Sequence, residues 1–175
     1  MRARSIPHSS KQQGFAVRLE GVASFDSDRW EALYRRFFPD VYRAVLATVF
    51  DPEIALDAVQ DAFEVGLRRP PADETNVVGW LYRVAVRRAL RRRFRRPPPV
   101  LGTDYPDELE RSMTRIETRT LLELLTARQR SIVVAHYFLG LRQEEIAEMF
   151  GVRRGTVGAT IAHALARMRE VRSNA

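Results

Sequence analysis

Residues 83–96 hold eight arginines (83, 87, 88, 91, 92, 93, 95 and 96) and no acid. Arg83, Arg87, Arg91 and Arg95 recur every four residues, with Arg88 and Arg92 beside them. On a helix that spacing builds a cationic stripe about three turns long. Such a stripe suits the dense phosphate charge of DNA and implies strongly salt-dependent binding. Trp80, Tyr82 and Phe94 share the segment, and aromatics beside arginines can stack unpaired bases. Core packing competes for Trp80 and Leu81. A merely solvated face is the alternative for the arginines, but ordinary exposed helices mix signs.

A second constellation has the opposite charge. Residues 51–64 carry five acids (Asp51, Glu53, Asp57, Asp61 and Glu64) and no base. Asp57, Gln60, Asp61 and Glu64 fall at i, i+3, i+4 and i+7, one polar face of a helix. Like charges so placed repel modestly. A basic partner would relieve that repulsion, and a solvated face would tolerate it.

The third lies between Arg142 and Arg169. A short helix carrying Ile146, Ala147 and Phe150 meets Gly151, a residue suited to a left-handed C-cap. A second helix follows, with Val157, Ile161, Ala164 and Met168 as its apolar stripe. Two helices joined by a tight glycine turn make a helix-turn-helix or a plain αα-hairpin. In the former, Arg153, Arg154, Thr156, Ala159, Thr160 and His163 face the major groove, where arginine and threonine read bases or hold phosphate. Gly158, in mid-helix, counts against a strong helix by about 1 kcal/mol.

The elements needed to position these groups are helices throughout. Trp30, Leu33, Tyr34, Phe37, Val41 and Val45 step along one helical face, with a kink or restart expected at Pro39. Asp51-Pro52 is a helix start, with Ala55, Ala58, Val59 and Ala62 inward. Residues 68–76 read as a loop, and residues 77–95 as the arginine helix. Helices are expected at 116–125, 128–139, 143–150 and 154–171. The fold class is all-α: two small helical domains joined by a flexible linker, the C-terminal one containing the helix-turn-helix. Residues 1–24 read as a flexible tail, 25–96 as the first domain, and 113–172 as the second. Between them, residues 97–112 form a linker that opens on three prolines and holds Asp104, Asp107, Glu108 and Glu110 against Arg111.

Composition narrows the chemistry. The 175 residues carry a net charge of +7, with 45% hydrophobic residues, enough for a core. There is no cysteine, and three histidines at 8, 136 and 163 are scattered, so neither a metal site nor a cofactor is expected. The apolar stretch at residues 44–50, interrupted only by Thr48, falls far short of the roughly 20 residues that span a bilayer. No signal-peptide pattern appears. A soluble, cytoplasmic protein with an anionic partner and no membrane insertion is expected. Nothing resembles a catalytic constellation: a nuclease would need carboxylates near the DNA face, and residues 83–96 have none.

Taken together, these segments resemble the extracytoplasmic-function (ECF) sigma factors, small two-domain members of the bacterial primary-type sigma family. Leu56-Asp57-Ala58-Val59-Gln60-Asp61-Ala62-Phe63 resembles the family's core-polymerase-binding helix. Gly79-Trp80-Leu81-Tyr82-Arg83-Val84-Ala85 resembles the start of its promoter-melting helix. Leu125-Thr126-Ala127-Arg128-Gln129-Arg130 resembles the lead-in to its helix-turn-helix, and Glu145-Ile146-Ala147-Glu148, Gly151-Val152 and Gly155-Thr156-Val157 the helix-turn-helix itself. The resemblance covers about residues 25–172.

The resemblance implies roles. Asp57, Gln60, Asp61, Phe63 and Glu64 would dock on the coiled-coil clamp of core RNA polymerase. Asn76 and Trp80 would hold an unpaired base of the minus-ten element, with Arg83, Arg87, Arg88 and Arg91 on the promoter DNA around it. Arg153, Arg154, Thr156, Thr160 and His163 would read the minus-thirty-five element. The acidic linker would thread toward the polymerase active-site channel, and an anti-sigma factor would hold the protein inactive. Two departures stand out. Arg87 and Arg91 replace the usual Asn and Asp of the melting helix, and residues 158–165 have lost the usual positive charge. Minus-thirty-five changes are therefore expected to matter less than minus-ten changes. The competing reading is a helix-turn-helix regulator that never joins polymerase.

Overall fold

The computed structural model describes residues 24–71, 75–95 and 116–173. The expected linker at 97–112, and all of the expected tail except Ser24, lie outside those residues.

The apolar face expected around Val41 and Val45 forms helix α1 (Ser24–Val49), which buries Trp30, Val41, Ala44, Val45 and Val49. The helix continues through Pro39 instead of restarting there. Proline removes the bond to the carbonyl four residues back. That residue is the exposed Arg35, where water can serve the freed oxygen.

Asp51 starts α2 (Pro52–Arg68) as expected. Its backbone is extended, and its carboxylate accepts from the Ile54 amide at 2.9 Å. Ala55, Ala58, Val59 and Ala62 point inward as expected, joined by Ile54 and Phe63. The arginine helix α3 (Val77–Arg95) follows with the expected limits.

Four further helices complete the described chain: α4 (Ile116–Glu123), α5 (Ala127–Tyr137), α6 (Gln143–Phe150) and α7 (Arg154–Ser173). A reciprocal Thr126–Gln129 capping box starts α5. Gly151 closes α6 with φ 64° and ψ 43°, the left-handed turn the sequence called for. No strand occurs among the described residues.

Helices α1–α3 pack as one group and α4–α7 as another, and the two groups touch extensively. Helix α5 lies across α1 and α3, and α6 packs on α3. One continuous core therefore includes Val49, Leu81 and Tyr82 from the first group and Ile132, Val134 and Ile146 from the second. The seam also has polar stitches. The Tyr82 hydroxyl is fully buried, 2.9 Å from Thr48 Oγ1, and donates to the Ser131 carbonyl at 3.1 Å. Arg93 donates to the Val49 carbonyl. Arg130 lies 4.3 Å over the ring of Phe50, whose φ of 55° is unusual for a residue other than glycine.

Candidate nucleic-acid interface

The arginines of α3 divide by face. Arg88 and Arg92 turn toward α2, where both bind Asp61 Oδ2, at 2.9 and 2.8 Å. Arg87, Arg91 and Arg95 are exposed, with no ion pair to another described residue. Arg83 is half-buried and faces a cleft instead. Burial sorts the helix in this way because Gly79, Leu81, Tyr82, Ala85, Val86 and Ala89 take the inward positions.

The cleft, of about 290 Å³, separates the start of α3 from α6. Asn76, Trp80 and Arg83 line one side, and Glu145, Glu148 and Met149 the other. Asn76 Oδ1 accepts from the Gly79 amide at 2.9 Å and so caps α3. Its Nδ2 donates to Glu145 Oε1, also at 2.9 Å. The second Glu145 oxygen accepts from the Arg142 amide at 2.7 Å and caps α6. Sequence reasoning placed Asn76, Trp80 and Arg83 together, and the structure does so. It missed Glu145 and Glu148, because no local pattern reports what faces a loop from across the chain.

Two aromatic expectations need correction. Phe63 is 6% exposed, with its ring inside a cluster of Trp30, Tyr34 and Phe38. It positions the acidic face and cannot line it. Tyr82 cannot stack a base, because it is enclosed in the seam, where burial pushes its phenol pKa far up. Phe94, in contrast, is 85% exposed.

The acidic face of α2 is partly spent. Asp57 and Gln60 are exposed. Glu64 is exposed and sits 3.4 Å from Arg68. Asp61 retains 25% of its side-chain exposure beneath Arg88 and Arg92.

In the helix-turn-helix, Val157, Ile161 and Ala164 are buried. Arg153, Arg154, Thr156 and His163 are exposed. Arg154 pairs with Glu144 at 2.6 Å, and the Thr160 hydroxyl donates to the Thr156 carbonyl at 2.7 Å. From Arg153, just ahead of α7, Thr156, Thr160, His163 and Arg167 follow in steps of three and four, so exposed Arg167 extends the face. The four-residue step from His163 was the available signal for it.

A larger cavity, of about 510 Å³ and mostly apolar, lies among α1, α4, α5 and α7. None of the candidate site residues lines it. No metal-binding group of His, Cys, Asp and Glu occurs among the described residues. None of their helices is long and apolar enough to cross a membrane.

Residues 33–96 match the family model described as Sigma-70 region 2, and residues 115–168 the one described as Sigma-70, region 4. Over 150 residues, the chain is 32% identical to the ECF RNA polymerase sigma factor SigM of Mycobacterium tuberculosis, covering 82% of this chain and 76% of SigM. The chain belongs to the ECF sigma factors. SigL of the same organism is 26% identical over 171 residues, 87% of this chain and 94% of SigL. Two solved structures share the fold. CnrH in complex with the cytosolic domain of CnrY has a TM-score of 0.65 at 17% identity, over 85% of this chain and 90% of CnrH. RpoE in complex with the anti-sigma factor NepR, from Bartonella quintana, has 0.66 at 17%, over 83% and 98%.

Membership in this family points to a non-catalytic initiation factor. A free-standing helix-turn-helix regulator is disfavoured, because region 2 accounts for residues 33–96 of this sigma factor. That match spans the acidic face, the surface such a regulator would leave idle.

Proposed function

We propose that the three surfaces divide the work of promoter recognition. The exposed α2 groups Asp57, Gln60 and Glu64, with Asp61 beside them, dock on a basic surface of core RNA polymerase. Asn76 and Trp80 take an unpaired minus-ten base, and Arg83, Arg87 and Arg91 hold the surrounding phosphates. Arg88 serves the same strand from its place beside Asp61. Arg153, Arg154, Thr156, Thr160 and His163 read the minus-thirty-five element. The observation that carries this reading is the cleft where Asn76, Trp80 and Arg83 converge at the head of the cationic helix. A pocket for one base beside a phosphate-binding stripe is the form single-strand recognition requires.

The site of action is the cytoplasm, with the polymerase. An anti-sigma factor is a further partner. RpoE was solved with the anti-sigma factor NepR bound, and CnrH with the cytosolic domain of CnrY bound.

Run-off transcription with reconstituted core polymerase on genomic promoter fragments tests the assignment. Discrete transcripts that need both this chain and core polymerase are expected. Sequence-specific DNA binding without any transcript would overturn it.

A further inference from the structure

Phe94 is the most exposed large hydrophobic among the described residues, and it stands on the arginine helix. Trp80, Arg83, Arg87, Arg91 and Phe94 follow one another in steps of three, four, four and three. The two rings are separated by two heptads, so they drift only about 40° around the helix. They stand about 21 Å apart along its axis. One face of α3 thus has a ring at each end and three cations between.

These cations are available. Arg88 and Arg92 pair with Asp61, and Arg93 with the Val49 carbonyl. Arg83, Arg87 and Arg91 have no ion pair to another described residue. The occupant must therefore be anionic along its length and offer flat apolar faces at its ends. A DNA duplex presents phosphates but hides its base faces. A protein surface that covers a ring usually meets apolar neighbours, whereas Phe94 has arginines at 91 and 95. A single strand offers both charge and π-faces.

We propose that Phe94 is a second base-stacking position, so that α3 carries a single-stranded track running from Trp80 to Phe94. About 21 Å accommodates roughly six nucleotides at the axial spacing of a stacked strand. The two ends differ in access. Glu145 and Glu148 face Trp80 across the cleft, while Phe94 lies outside that cleft. The track rests on the reading that α3 takes unpaired promoter DNA, and it adds a residue to which that reading assigns no role.

The test uses the full chain, alone and reconstituted with core polymerase. A labelled 12-nucleotide oligothymidylate and a duplex of equal length are the probes. Phe94→Ala should weaken single-strand binding five-fold or more and duplex binding less than two-fold. Phe94→Trp should restore the single-strand affinity, and its emission, corrected for wild type, should be quenched by the single strand. Equal losses on both probes, or none, would overturn the proposal. So would emission that responds to anionic phospholipid vesicles and not to the oligonucleotide. The two readings fail separately. Quenching in a chain that never joins core polymerase leaves the track standing and removes the proposed docking of α2 on core polymerase. A chain that joins core polymerase without quenching does the reverse.

Discussion

Asn76 and Glu145, 69 residues apart in sequence, share a 2.9 Å hydrogen bond across the cleft. The residue proposed to hold a promoter base is therefore tied to the first helix of the helix-turn-helix. Glu145→Gln keeps an oxygen for the Arg142 amide and turns an amino group toward the Asn76 amide, where two donors oppose. The expected cost is about 1 kcal/mol in urea unfolding, and tighter binding of a single-stranded minus-ten oligonucleotide to the free chain. Unchanged oligonucleotide affinity would show that the bond does not restrict the pocket.

Asp61 serves two arginines with one carboxylate oxygen. Asp61→Asn removes the charge that holds Arg88 and Arg92 against α2. Because all three are partly exposed, the stability loss should be small, about 1 kcal/mol or less. The freed cations should strengthen DNA binding and steepen its salt dependence by up to two phosphate contacts. Association with core polymerase should weaken at the same time, which separates the two effects in one variant.

Gly66 lies against Trp30. A Cβ at residue 66 would fall onto the indole ring, which is itself buried. Alanine normally favours a helix over glycine by about 1 kcal/mol. Here overpacking of about 1–3 kcal/mol should outweigh it. Gly66→Ala should lower the thermal midpoint.

Both the helices and their inward faces were legible in the sequence, because periodicity and caps are local. Asp51-Pro52, Gly151 and the limits of α3 and α6 follow from chemistry within a few residues. The seam was not legible. Nothing near Tyr82 announces that its hydroxyl meets Thr48 and Ser131, and nothing near Asp61 announces Arg88 and Arg92. The same spacing that marked Asp61 as a docking residue also allowed it to be a counter-ion. Pro39 misled for a related reason, since the exposure of Arg35 is a tertiary property.

Tyr82 gives the seam a pH dependence with a definite sign. Its folded pKa is raised above the ordinary phenol value of 10 by burial. Its contribution is fully present below about pH 10 and is lost as pH rises beyond it. Tyr82→Phe should cost about 1 kcal/mol at pH 7. The gap to wild type should close, then reverse, in urea midpoints measured from pH 9 to 12.

Arg130 is the seam's expensive member. Burial, and then Arg93, lower its pKa to about 10. Its Nε has no partner, and its Nη1 bond to the Leu122 carbonyl is long, 3.3 Å. Arg130→Met fills similar volume without the charge. Its stability at pH 7 should equal or exceed wild type by about 1–2 kcal/mol, read as a urea midpoint.

Translation gives the shared core an order in time. Helix α3 is complete roughly 2 to 8 s before α5, at about 5 to 20 residues per second. In that interval Val49 and Tyr82 still lack the cover the later helices give them, but the Thr48 and Tyr82 hydroxyls already satisfy each other. The uncovered face belongs to the helix group that carries the α3 arginines. Two nascent chains meeting at that stage repel each other through the same charges that later hold DNA.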